Sequence, residues 1–260
     1  MRELVFVTVT TAAMALSSGA SAQLSDIMRL CSGRSEVPIE QKLGACTAVI
    51  ESGQETPQYR AVAFERRGLA LFAKKDYDRA IADYDHALAL NSRQLAAFIN
   101  RGNAWQAKGN YDHAIEDYDQ ALRVDPKNAI ALHNRGLTYQ DKGRWDFDAY
   151  LNEGMYEEIA IRDYDQAILF NPKYHKAFND RGVAYMTLRQ YDRAIDDFNQ
   201  AIQIDSNEAL YFKNRANASR FVGQYDRALA DYRRALTLKI DERMKKEIDK
   251  VLKELGAAAQ

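Results

Sequence analysis

The sequence predicts an all-α protein in which one helical hairpin recurs five times. Three observations carry this expectation. A single phrase returns with its small residue at Gly68, Gly102, Gly136, Gly182 and Ala216, in steps of 34, 34, 46 and 34 residues. Only 4 prolines and 13 glycines punctuate 260 residues, too few for a sheet with many turns. The remainder is rich in Ala, Leu, Arg, Lys and Gln, which favour helices. A hydrophobic content of 47% is enough to bury a sizeable core. The 36 basic and 37 acidic groups leave a formal net charge of -1, so no bulk field draws nucleic acid or an anionic membrane surface.

Residues 1–22 read as a secretory signal. Arg2 precedes an apolar run from Leu4 to Leu16, and small residues end in Ala20-Ser21-Ala22, with cleavage expected after Ala22. The run is interrupted by threonines and is shorter than the roughly 20 apolar residues that span a bilayer. A lipid anchor would need cysteine after the cleavage site, where Gln23 stands. No second segment is apolar enough to cross a membrane, so the mature chain is expected to be periplasmic or secreted and not membrane-inserted. The two cysteines, Cys31 and Cys46, are an even pair in an exported chain, which favours a disulfide. The rival readings are a metal site, which would need two further ligands, and a redox pair, which normally has tighter spacing. The pair falls in a hairpin over 23–60, helix Leu24–Leu30, turn Ser32–Pro38 and helix Ile39–Ser52. A bridge there stabilises by roughly 3 kcal/mol on the loop-entropy model.

The repeats are expected at 61–94, 95–128, 129–174, 175–208 and 209–242. Their first halves read ERRGLAL, INRGNAW, HNRGLTY, NDRGVAY and KNRANAS. Their second halves include YDRAIADYDHAL and YDHAIEDYDQAL. The small residue lets the first helix approach the second, which offers Ala80, Ala114, Ala160, Ala194 and Ala228. Aromatics at the turn (Tyr77, Tyr111, Trp145, Tyr191, Tyr225) and along the second helix (Tyr84, Tyr118, Tyr164, Phe198, Tyr232) fill the wider gap. Pro126 and Pro172 stop second helices. Beyond Leu238, Ile240, Met244, Ile248, Val251, Leu252 and Leu255 share one helical face, so 243–260 reads as a capping helix and tail, ended by Gly256.

This pattern resembles the tetratricopeptide repeat family, in its Asn-Arg-Gly-bearing bacterial subclass, over 182 of 260 residues. The resemblance implies a right-handed α-solenoid whose first helices line a concave groove for a protein or peptide partner. Asn100, Asn134 and Asn214 precede the repeat arginine and look like the asparagine ladder of O-GlcNAc transferase superhelices; Arg66 and Asp180 depart from it. Asn103 and Asn217, three residues on, are expected beside it. Lys213 with Asn214 and Asn217, and Lys176 with Asn179, supply some residue types of a carboxylate clamp without its full pattern. Every copy pairs an arginine (Arg67, Arg101, Arg135, Arg181, Arg215) with an aspartate (Asp83, Asp117, Asp163, Asp197, Asp231), which is expected to be a structural ion pair.

Copy three carries 12 extra residues within 144–159. Phe147, Tyr150 and Tyr156 among its acidic groups read as an exposed partner contact, the alternative being a tolerated insertion at a turn whose aromatics pack on their own helices. The histidines His86, His113, His133 and His175 are scattered, and no HExxH, nucleophile elbow or phosphate loop is present, so neither catalysis nor a cofactor or metal is expected. The sequence points to a non-catalytic interaction scaffold. The alternatives are an assembly subunit of an envelope or secretion complex and a carrier of a small peptide or glycan.

Overall fold

The computed structural model describes residues 26–33, 37–53, 55–145 and 154–258, and the expected export segment lies outside them. Every regular element among these residues is a helix. A short α1 (26–32) and α2 (Ile39–Ser52) form the amino-terminal hairpin. First and second helices of the repeats then alternate as α3 (Pro57–Ala73), α4 (Tyr77–Leu90), α5 (Leu95–Ala107) and α6 (Tyr111–Val124). Copy three is α7 (Ala129–Trp145) and α8 (Met155–Phe170), followed by α9 (His175–Thr187) and α10 (Tyr191–Ile204). The chain ends with α11 (Ala209–Phe221), α12 (Tyr225–Leu236) and α13 (Glu242–Ala258). Two compact units divide within α6, Met1–Asp117 and Tyr118–Gln260.

Local chemistry sets these limits. Thr56 caps α3 by accepting from the Tyr59 amide, with Pro57 in the first turn where its missing N–H costs nothing. The turn between the helices of a hairpin needs a left-handed residue two places before the second helix's aromatic. Lys75, Gly109, Arg189 and Gly223 take positive φ there, and Gly154 does so in copy three. That geometry makes Tyr156, not Trp145, the turn aromatic of copy three.

Inside the hairpins of copies one, three and four the small residue of the first helix faces the second helix's ring. A Cβ on Gly68 would lie 2.7 Å from the Tyr84 ring, one on Gly182 2.7 Å from Phe198, and one on Gly136 2.9 Å from Tyr164. The close approach is therefore glycine against ring, more than glycine against the alanines expected to meet it. In copy five, Ala216 shares a buried cluster with Phe212 and Tyr232.

Each end is covered. Cys31 and Cys46 form the disulfide, both buried, and pack with Val49 against Ala63 of α3. At the other end α13 lays Ile248, 1% exposed, with Met244, Val251, Leu252 and Leu255 on the Phe212–Tyr232 cluster. The helix does not end at Gly256, as expected from sequence, but runs on to Ala258. Nothing obliges it to stop, because the glycine keeps helical geometry. Truncating Ile248→Ala should lower unfolding free energy by about 2–4 kcal/mol, while exposed Lys250→Ala stays within about 0.5. Denaturant melts of the two variants check this; equal midpoints would show that α13 does not seal the array.

Candidate interaction surface

Each repeat arginine meets its aspartate as a two-pronged pair. Nε and Nη2 of Arg67 donate to Asp83 at 2.8 and 2.8 Å, and those of Arg101 to Asp117 at 2.9 and 2.6 Å. Arg135 holds Asp163 at 2.8 and 2.6 Å, Arg181 holds Asp197 at the same distances, and Arg215 holds Asp231 at 2.7 and 2.6 Å. The planar fork matches the carboxylate, which is why arginine and not lysine recurs. Phe64, Phe98, Phe178 and Phe212, three residues earlier on the same helices, lie under the guanidinium groups at 5.5–5.9 Å.

The third prong was not foreseen. Nη1 of Arg101 reaches Asp85, that of Arg135 reaches Asp119, that of Arg181 reaches Asp165 and that of Arg215 reaches Asn199, each at 2.5–2.8 Å on the preceding repeat's second helix. Arg67 uses Thr47 of α2 at 3.1 Å in the same way. The signal was in the sequence: each acceptor stands two places past the clamped aspartate. The last copy has Arg233 there, where no repeat follows. Burial pushes the Asp117 and Asp197 carboxyls up despite their arginines, so the desolvation cost is real. The hydrogen bond to Asp163 holds Arg135 above its ordinary value. These arginines are committed to carboxylates and form no free cationic stripe.

The row before the arginines is engaged as well, by side chains of the preceding repeat. Asn100 donates to Glu65 Oε1 at 2.8 Å, and Asn214 donates to Asn179 Oδ1 at 2.9 Å. Asp180 stands 2.7 Å from His133 Nε2 and accepts from Asn179 at 2.8 Å. Side chains at this position thus reach the residue before it in the preceding repeat, tying neighbouring first helices. Lys213 pairs with Glu247 of α13 at 2.5 Å, and Asn217 accepts from the Tyr232 hydroxyl at 2.5 Å. Asn134 Oδ1 lies 3.3 Å from His133 Nδ1. Asn100, Asn103, Asn134, Asp180, Lys213, Asn214 and Asn217 all remain half-buried, with part of each side chain still reachable. Burial pushes the Glu65 carboxyl up, against Arg66 and Asn100, which lower it. His133 is buried, its Nδ1 also 3.2 Å from the Tyr174 hydroxyl.

In the copy-three insertion, Phe147 and Tyr150 lie outside the described residues. Tyr156 is not an exposed contact: it is 9% exposed, and its ring faces Tyr139 at 6.5 Å. Part of the insertion lengthens the helices instead of looping out. Trp145 ends α7 nine residues past Gly136, where Ala107 ends α5 five past Gly102. On that added turn Gly143 makes room for Tyr156, whose Cβ would lie 2.9 Å from a Cβ built there.

One open pocket of about 640 Å³ lies among α11, α12 and α13. Its walls include Phe221, Tyr225, Leu229 and Leu255, with the charged groups Arg220, Asp226 and Glu254. Phe221 and Tyr225 are 65% and 55% exposed. Sequence reasoning missed it because it depends on how α13 is laid. Among the described residues no three metal-ligating side chains gather, and no helix is long and apolar enough to cross a membrane.

Family models described as tetratricopeptide repeat match residues 61–93 and 175–208, and one described as TPR repeat matches 102–143. The fold is similar to that of a tetratricopeptide repeat protein from Parabacteroides merdae, with 20% identity, coverage of 83% of this chain and 81% of that one, and TM-score 0.64. It is similar also to a thermophilic protein of this type from Thermus thermophilus, at 23% identity, 74% and 98% coverage and TM-score 0.62. YrrB, described as a TPR protein with an unusual peptide-binding site, aligns at 22% identity, 80% and 99% coverage and TM-score 0.55. No curated protein sequence matches this chain. These findings support the tetratricopeptide repeat family and an α-solenoid fold, a class whose members are in general protein-interaction modules without catalytic activity.

The clamps and the amide row differ in what their loss should cost. Arg101→Ala leaves Asp117, its side chain 4% exposed, without its guanidinium, at a cost on the order of 3 kcal/mol. Asn100→Ala removes one of the Glu65 contacts, at about 1 kcal/mol. Urea titrations should rank them in that order; the reverse order would assign the fold's register to the amide row.

Proposed function

We propose that this chain is an exported, non-catalytic scaffold that holds an extended segment of a partner protein along its first-helix faces. The observation that carries the reading is the half-buried polar side chains that recur at the repeat spacing on first helices, Asn100 and Asn103 in the first unit and Asn134, Asp180, Lys213, Asn214 and Asn217 in the second. An amide has two N–H groups and a carbonyl, and the bond to the neighbouring repeat uses only one N–H of Asn100 and of Asn214. The remaining groups can meet a backbone, and their own anchoring keeps the ordering cost of binding low. The arginines, each taken by two acceptors, contribute position and not charge. A peptide site in YrrB, a protein of similar fold, is in keeping with this reading. A buried Cys31–Cys46 disulfide suits the oxidising compartment that the 1–22 segment suggests.

Affinity capture by the mature chain in its own compartment tests it, comparing wild type with Asn100→Ala, Asn134→Ala and Asn214→Ala combined. The combined variant, once shown to be folded by its melt, should lose at least about tenfold in affinity for captured partners, roughly 1.4 kcal/mol. Undiminished capture by the folded variant would place binding on another face.

A further inference from the structure

The pocket among α11, α12 and α13 can be compared with one contact between copies one and two. In copy one the first turn of α4 presents Tyr77 and Asp78. The next repeat supplies Lys108, which closes α5, pairs with Asp78 and lies 5.4 Å from the Trp105 ring. A cation held between a carboxylate and an aromatic ring is thus already part of this architecture. In copy five the same first turn presents Tyr225 and Asp226 on α12. Thirty residues past Asp226, the count that leads from Asp78 to Lys108, stands Gly256. The position that would supply the cation has no side chain, and Asp226 has no hydrogen-bond or ion-pair partner among the described residues.

We propose that this pocket takes a lysine or arginine side chain from a bound partner, which occupies the place that Lys108 fills for Asp78. Phe221, 65% exposed and stacked on Tyr191 at 4.7 Å, and Tyr225, 55% exposed, offer ring faces to the alkyl stem and the charge. Asp226 and Glu254 supply the counter-charge; Glu254 has only a 4.0 Å approach from Lys250. Arg220, the one cation in the wall, is tied to the Tyr232 hydroxyl, and the two carboxylates outnumber it. An anionic group would meet that acidic excess. The pocket extends the scaffold reading and rests on it, adding a chemical preference at the carboxy-terminal end of the array.

The test uses the full mature chain and three blocked heptapeptides of glycine and serine, alike except for a central lysine, norleucine or glutamate. Nuclear magnetic resonance follows the Leu229 and Leu255 methyls and the Phe221 and Tyr225 rings. The lysine peptide should shift these signals and bind about tenfold more tightly than the norleucine peptide, with the glutamate peptide weakest. In Asp226→Asn combined with Glu254→Gln, both exposed positions, the lysine preference should vanish while the norleucine peptide binds as before. Equal binding of lysine and norleucine, preference for glutamate, no shift at these residues, or an unchanged preference in the double variant would each overturn the proposal. Natural partners captured equally by wild type and double variant would also overturn it, while leaving the scaffold reading standing.

Discussion

One guanidinium group per repeat touches three places at once, and the geometry of the array follows from it. Two N–H groups close on the aspartate of the same hairpin, fixing the angle between first and second helix, and a third reaches back to the preceding repeat. Burial raises the Asp117 and Asp197 carboxyls even with arginine in contact. Such a pair adds little net stability over an apolar substitute, but losing one partner strands a buried charge. Its value lies in register. Alanines and glycines give the helices close contact, yet a small-residue surface alone would tolerate sliding.

Because the arginines are used up in this way, the face beside them is polar without exposing the repeat guanidinium groups. Within the row, Asn100 is anchored to Glu65 and Asn214 to Asn179, each bond running from one repeat to the one before it. The same logic applies where the array stops. Copy two supplies copy one with both cover and a counter-charge, Lys108 for Asp78, whereas α13 supplies cover through Ile248 and has Gly256 at the same count from Asp226.

Most of the fold was legible because the period superimposes equivalent residues. Five small residues, five arginines and five aspartates can be paired without coordinates, the arginine–aspartate offset being 16 in four copies and 28 across the insertion of copy three, and the arginine–aspartate bonds are as expected. The third prong was legible in principle, since Asp85, Asp119, Asp165 and Asn199 share one offset, but which helix they face depends on how successive hairpins pack. The orientation of Asn100 and Asn214 was obscured for the same reason: their partners lie 35 residues back on a neighbouring helix. Tyr156 was misplaced because an insertion that lengthens both flanking helices looks, in sequence, like one that loops out. Gly143 and Gly154 were the clues, one allowing the close approach and the other taking φ of 90° at the turn. The pocket beside α13 had no signature of its own, because its walls come from three helices and depend on how α13 lies against α11 and α12.

The claim on which the account turns is that the third prong couples one repeat to the next, and a double-mutant cycle on Arg181 and Asp165 measures it most directly. The two side chains belong to different repeats, and Asp165 is 46% exposed, so its removal alone is mild. Equilibrium unfolding of Arg181→Ala, Asp165→Ala and the double variant gives the interaction term. The account predicts a favourable coupling of about 1 kcal/mol or more. Single-variant costs that simply add, within about 0.3 kcal/mol, would show that the arginine holds only its own hairpin and that repeat register comes from apolar packing alone.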